Sequence, residues 1–327
     1  MTRKLFCYLM SILLIFCAMY PGMVGAITTE ELTNRCQSAE NAIRDISFEY
    51  EWYVTPTPTF EDVEEPLKSI GVLITKDGVS KHKLSAARFI DPNGRHRWRY
   101  VFEESATLIA KDGQTWDIFV KYSYDGRVYK KFSIDGPTDK RPTDVTSGLI
   151  TSNNPYTGIP LLTPIGFSIF RFENGLEDNS LSTILQQRKD EDIIRVIDAV
   201  KKVNDFNTIC VDLLQRQIKL PYTHVYLSVD HNYTPVKHEH LKNLKTGEIA
   251  LTVEVHSLER IGDGLWFPTS GLMHSPNGKQ ANAFQVTGKI LVNQGLKEKD
   301  FDVEFPVGTK VTDRVRNIEY VVKAPGN

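Results

Sequence analysis

The sequence predicts a mainly β protein, a single all-β domain with helical insertions. Three observations carry this. From residue 70 onward the apolar pattern has a period of two, with His96, Trp98, Tyr100 and Phe102 on one face of a strand and Arg95, Arg97 and Arg99 on the other. Asp77-Gly78, Asn93-Gly94, Asp112-Gly113, Asp125-Gly126 and Asp135-Gly136 punctuate that stretch, and such pairs supply the positive φ of tight hairpin turns. No linker splits the chain after its first 26 residues, and no repeat of 20–50 residues shows. One-sided alternation between short turns means an antiparallel meander with one face against a core.

The composition fits that reading. The chain has 327 residues, 41% hydrophobic, 24% charged and 10% aromatic, with 21 Gly and 16 Pro. These are ordinary globular values, which exclude a disordered chain, a collagen-like repeat and a disulfide-dense miniprotein. The formal net charge of −2 gives no electrostatic footprint for nucleic acid.

The N-terminus reads as an export signal. Arg3 and Lys4 precede an apolar run over residues 5–20, Pro21-Gly22 breaks it, and Val24-Gly25-Ala26 puts small residues at −3 and −1. The expectation is a signal peptide over residues 1–26, cleavage after Ala26, and one domain over 27–327 that is periplasmic or secreted. Ile15-Phe16 ahead of Cys17 argue against lipid attachment. Of four cysteines, Cys7 and Cys17 leave with the signal. An exported compartment permits a Cys36–Cys210 disulfide. The alternative is two thiols acting as small apolar residues, Cys36 on a helical stripe and Cys210 on the face opposite Ile209, Val211 and Leu213.

Residues 28–46 read as an amphipathic helix. Thr28 or Thr29 caps it, Glu30 and Glu31 suit its positive end, and Leu32, Cys36, Ala39 and Ile43 form one stripe. Residues 54–66, with Pro56, Pro58 and Pro66, read as an exposed loop. Trp116, Ile118, Val120, Tyr122 and Tyr124 repeat the strand alternation. Residues 137–192 form an insertion broken by five prolines and ending in a short helix over 181–188. Strands resume at 208–215, 223–230, 249–256, 265–274 and 284–292, with 193–203 open between helix and strand. Phe301, Val303 and Phe305 lead to a last segment at 311–323.

Catalytic signatures are sparse. No Gly-x-Gly-x-x-Gly follows a strand, and the Gly-x-Ser-x-Gly elbow is absent. His238-Glu239-His240 places two imidazoles on one strand face, with His224, His231 and His256 in neighbouring segments. A catalytic zinc site needs three protein ligands and an open position, so this pair is incomplete. No metal, cofactor or catalytic residue is assigned from the sequence. Asn232-Tyr233-Thr234 matches a glycosylation acceptor, and Arg95, Arg97 and Arg99 form either a solvated edge face or an anion site.

Several phrases together resemble a known family. They are Tyr226-Leu227-Ser228-Val229-Asp230 with Pro235-Val236-Lys237 after a turn, Gly264-Leu265-Trp266-Phe267-Pro268, and the run from Phe301 through Pro306 to Thr309. With the leading helix and the Gly-turned meander, the chain resembles the outer-membrane lipoprotein-sorting proteins, periplasmic carriers of the Lol type, over most of residues 28–323. The resemblance implies an α+β fold: a strongly curved open antiparallel sheet, a half-barrel, whose concave apolar face is covered by the N-terminal and mid-chain helices. It implies acyl chains of a lipid or lipidated protein held between sheet and helices, membrane-associated donor and acceptor partners, and no enzyme chemistry.

The physics runs the same way. An acyl chain in water exposes methylenes at ~0.8 kcal/mol each, so moving one needs an apolar hollow. Trp98, Tyr100 and Trp116 are the expected aromatic walls. Leu161, Leu162, Ile165, Phe167 and Phe170, concentrated where a surface loop would be polar, are the expected lid or, alternatively, plain core. The rival functions are a sensor or scaffold of the same fold that binds proteins, and a metal-dependent hydrolase using His238 and His240.

Overall fold

In the computed structural model the residues described are 27–55, 74–75, 78–90, 92, 96–109, 113–137, 146–152, 181–189, 194–276 and 281–324. The expected signal peptide (residues 1–26), residues 56–66 of the expected 54–66 loop and the expected lid residues Leu161, Leu162, Ile165, Phe167 and Phe170 lie outside them, while Val54 and Thr55, expected in that loop, end a strand instead. Among the described residues no helix is long and apolar enough to cross a membrane.

Helix α1 (Thr29–Ala42) starts where Thr28 Oγ1 accepts from the Glu31 amide at 3.1 Å. It is shorter than the expected 28–46. Ile43 already has extended angles, because residue 45 opens a strand. That strand, β1 (Asp45–Thr55), alternates Ile46, Phe48, Tyr50 and Trp52 inside with Ser47, Glu49, Glu51 and Tyr53 outside. After it come β2 (Ile74–Thr75), β3 (Val79–Ile90), β4 (His96–Ile109), β5 (Thr115–Tyr124), β6 (Tyr129–Pro137) and β7 (Thr146–Thr151). Gly78, Gly113 and Gly126 have positive φ, as their turns require. Asp135-Gly136 is not a turn: Gly136 pairs with Asp117 inside β6. Among its described residues the expected insertion thus contains a strand, β7, and later helix α2 (Leu181–Lys189). Gly148 in β7 has no room for a side chain, since a Cβ there would meet Phe305 and Val311 at 2.9 Å.

The second half runs β8 (Ile194–Val203), β9 (Phe206–Leu214), β10 (Pro221–Ser228), β11 (Thr234–Asn243), β12 (Glu248–Gly262), β13 (Leu265–His274), β14 (Ala281–Val286) and β15 (Leu291–Val292). It ends with β16 (Lys310–Asp313) and β17 (Ile318–Val321). Of the segment left open between helix and strand, the described residues 194–203 are strand, with a register break between Ile197 and Lys201. Phe301 belongs to a 3₁₀ turn and Val303 lies outside any strand, and both are buried.

Pairing gives the order β8-β9-β10-β11-β12-β13-β14-β1-β3-β4-β5-β6-β7-β16-β17. Among the described residues every pairing is antiparallel except β7 with β16. The result is one large open sheet that curls, bringing Phe48 of β1 within 5.0 Å of Phe267 of β13. One cluster fills the face of β1, β3, β4 and β5 around Phe48, Tyr50, Leu84 and Phe102. A second joins Leu32 and Cys36 of α1, Leu181 and Leu185 of α2, and Ile209, Val211, Val225 and Leu227 of β9 and β10. His238, opposite both Val225 and Val253, shows that the two clusters share one face.

The α1–β1 junction is clasped by the segment that follows β15. Asn293 accepts from the Arg44 amide at 2.8 Å and donates to the Ala42 carbonyl. Buried Asp45 accepts from the amides of Gln294 and Gly295 at 2.6 and 2.9 Å. Asp45→Ala is expected to lower unfolding free energy in urea by about 2–4 kcal/mol, because it strands two amides that a charged acceptor now satisfies. A loss below about 0.5 kcal/mol would show that water replaces the carboxylate.

Candidate functional site

The stripe of α1 divides in two. Leu32 and Cys36 are buried against β9 and β10, while Ala39 and Ile43, one and two turns on, are half-buried. Beneath them is an apolar cavity of about 90 Å³. Its walls are Cys36 and Ala39 of α1, Ile43 at its C-terminal cap, Ile46 of β1, Trp98 of β4, Leu181 at the start of α2, and Leu265, Trp266, Phe267 and Pro268 of β13. Tyr233 closes one side. Asn232 and Tyr233 both have positive φ, and this turn between β10 and β11 tucks the Tyr233 ring under α1 with Arg35 stacked 5.3 Å above it.

Polar groups rim the cavity. Arg88 donates to the Glu40 carbonyl at 2.9 Å and to Asn41 Oδ1 at 3.0 Å, with its guanidinium 5.6 Å from the Trp98 ring centre. The Glu40 carboxylate accepts from the Ser182 amide at 3.0 Å and from its hydroxyl. A carboxylate at the first turn of α2 meets both free amides and the positive helix end. The two helices are thereby tied to each other over the cavity.

The sequence-predicted residues are distributed unevenly. Trp98 lines the cavity. Tyr100 is 3% exposed and packs against Tyr124 at 6.3 Å, so it is core rather than wall. Trp116 pairs with Leu108, ten residues along β4 from Trp98. That is roughly 30 Å away, so the two indoles do not share a site. Arg99 is not part of a solvated row: it donates to the Asp125 carbonyl at 2.6 Å and stacks on Phe89. Of the cavity residues not expected from the sequence, Leu265, Phe267 and Pro235 belong to phrases that carried the family resemblance, whereas Ile46, Leu181 and Tyr233 do not.

The Cys36–Cys210 bridge does not form. Both thiols are free, Cys36 under α1 and Cys210 on the opposite face of β9, where it contacts Asp212. Burial raises both thiol pKa values, that of Cys210 to about 12 with Asp212 adding to the effect. His238 and His240 do share a strand face, but His238 is buried and His240 lies 3.3 Å from Thr223 Oγ1. Among the described residues no third metal ligand joins them. The set that does converge is Cys210, Asp212 and His224. Asp212 Oδ1 meets His224 Nδ1 at 2.7 Å, and Oδ2 accepts from Arg195 Nε at 2.9 Å. Burial would raise the Asp212 pKa, but these hydrogen bonds outweigh it and hold the carboxyl below its ordinary range.

Further along the same inner face, His82 is stacked between Tyr50 at 4.8 Å and Phe102 at 5.4 Å, with Ser80 Oγ at 2.7 Å from Nε2. Burial pushes its pKa down to about 4, and burial with His240 nearby does the same for His238. Between pH 6.5 and 4 the unfolded chain protonates these imidazoles while the fold keeps them neutral. Stability therefore falls as pH drops through that window, by at most about 1.4 kcal/mol per pH unit for each histidine. Glu104, whose pKa burial raises, acts in the opposite sense. His82→Phe is expected to flatten the pH dependence of the urea midpoint over this window. An unchanged slope would mean that water reaches the ring.

No protein-family model matches the chain, and no curated protein matches it in sequence. Solved structures do. A putative outer membrane lipoprotein-sorting protein domain from Vibrio parahaemolyticus is similar over 84% of this chain and 97% of its own, at 12% identity and a TM-score of 0.41. A DUF1329 family protein from Desulfovibrio piger is similar over 84% and 97%, at 10% identity and a TM-score of 0.42. MucB in complex with MucA(peri) is similar over 85% of this chain and 60% of that one, at 10% identity and a TM-score of 0.25.

Proposed function

We propose that this chain is an exported binding protein, periplasmic in the lipoprotein-sorting sense, that shelters acyl chains of a lipid or lipidated protein. In this reading the curled sheet acts as a half-barrel, with α1 and α2 covering its concave side. The observation that supports it is the apolar cavity between α1 and the sheet, walled by Ala39, Ile43, Trp98, Leu265 and Phe267. Ligand pockets are mostly apolar with a few placed polar groups, and Arg88 and Asn232 are such groups here. At about 90 Å³ the cavity holds only a few carbons. A cavity of ~150 Å³ already accepts benzene, so an acyl chain enters as the helices part from the sheet. The reading is one of binding rather than catalysis, because Arg88 and Glu40 are engaged in holding α1 and α2 in place and Asn232 donates to the Gly264 carbonyl.

The test uses a fluorescent fatty acyl probe, with energy transfer from Trp98 and Trp266 as the signal. Ala39→Phe fills the space between α1 and β13. It is expected to weaken probe binding by at least about tenfold, a loss of ~1.4 kcal/mol, while the β-rich circular dichroism spectrum persists. Unchanged affinity in a folded variant, or no saturable binding by the parent protein, would overturn the proposal.

A further inference from the structure

On the other side of β9 and β10 from the helices, one polar row crosses four strands. Arg195, Asp212, His224 and Glu239 stand directly opposite one another in register on β8, β9, β10 and β11. Cys210 precedes Asp212 by two residues on the same face. Its Sγ lies 3.6 Å from Asp212 Oδ1, and Oδ1 is 2.7 Å from His224 Nδ1. One ligand atom from each of the three residues falls within 4.8 Å of the others.

We infer that Cys210, Asp212 and His224 form a binding site for a zinc-like divalent cation, on the face opposite the apolar cavity. The donor set selects the metal class. A thiolate and an imidazole suit zinc or cobalt and poorly suit calcium or magnesium. Zinc bonds of ~2.0–2.3 Å in a tetrahedron put ligand atoms roughly 3.3–3.7 Å apart. The sulfur–carboxylate distance already meets this, and the carboxylate–imidazole pair needs to open by about half an ångström. Asp212 divides its two oxygens. Oδ2 is held by Arg195, which fixes the carboxylate from outside, and Oδ1 faces Cys210 and His224. Two anionic ligands balance a divalent charge, and the Cys210 proton leaves as the metal binds. Three protein ligands leave a fourth position for water, on a surface where His224 is 25% exposed.

A Cys–His nucleophile is the other chemistry that these residue types suggest, and the geometry opposes it. The carboxylate stands between thiol and imidazole, and a neighbouring anion disfavours the thiolate that a nucleophile needs. The metal site does not depend on acyl binding, since β9 and β10 separate the two.

The test is a cobalt titration of the whole reduced protein after chelator treatment. One equivalent of Co²⁺ is expected to bind, giving the near-ultraviolet thiolate-to-cobalt band and visible bands of tetrahedral cobalt, and zinc is expected to displace it. Cys210→Ser should abolish the near-ultraviolet band, and His224→Gln should weaken binding by at least about tenfold, the loss of one ligand of three. Cys36→Ala, altered on the helix side, should keep the band at full intensity. Absence of saturable one-equivalent binding to the parent protein overturns the site. So does a band that survives Cys210→Ser or vanishes in Cys36→Ala. If either ligand variant fails to fold by circular dichroism, the parent and Cys36→Ala titrations decide the matter.

Discussion

The fold depends on what β1 does with its two edges. One edge pairs with β3 over nine residue pairs, from Asp45 with Ala87 to Tyr53 with Val79. The other pairs with β14 and, at the strand's start, with β15. Without β1 the meander β3–β7 and the meander β8–β14 share no backbone hydrogen bonds along this seam. With it they become one sheet, and the side chains of β1 are the meeting point of the main core. Phe48 touches Phe267, Tyr50 stacks on His82, and Trp52 stands opposite Phe284. Such long-range pairing closes loops of more than 200 residues, so the contacts that reward it must be strong. A strand carrying Ile, Phe, Tyr and Trp on one face meets that need.

Placing β1 also places α1. The helix ends two residues before the strand, so its direction is set by the junction, and Asp45, Asn293 and Arg88 hold that junction with hydrogen bonds. The stripe of α1 then lies across the curl, buried near Leu32 and half-buried near Ala39 and Ile43. The cavity is the space left where the helix passes from one meander to the other. It follows from the geometry of the seam and not from any one wall residue.

Much of this was legible in the sequence, and the failures have physical causes. The period of two was readable in β4, β5 and β12 because their apolar and polar residues alternate along the chain. β1 was missed because its first residues continue the helical stripe through Ile43, and its last run into a proline-rich stretch. β7 was missed because a six-residue strand around Gly148 has little apolar pattern of its own. Its place comes from Phe305 and Val311, which press on that glycine from more than 150 residues away. Trp98, expected as an aromatic wall, lines the cavity, whereas Trp116, expected on the same aromatic criterion, stands opposite Leu108 at the other end of β4. Alternation gives the face that a residue occupies; only register gives its height along the sheet.

The same distinction governs the histidines and cysteines. His238-Glu239-His240 stood out because its members are adjacent in sequence, yet the inner face there is apolar and His238 is buried in it. Cys210, Asp212 and His224 showed no motif, because their spacing of two and then twelve is that of an antiparallel hairpin and not of a helix or loop. In such a hairpin, residues of like parity on facing strands converge whenever the register aligns them, as it does for Asp212 and His224. The cysteine pair separates for the same reason. Ile209 and Val211 send their side chains toward Cys36 in α1, so Cys210 between them must point the other way. A single strand thus keeps one thiol for the outer polar row while its neighbours complete the floor under the helices.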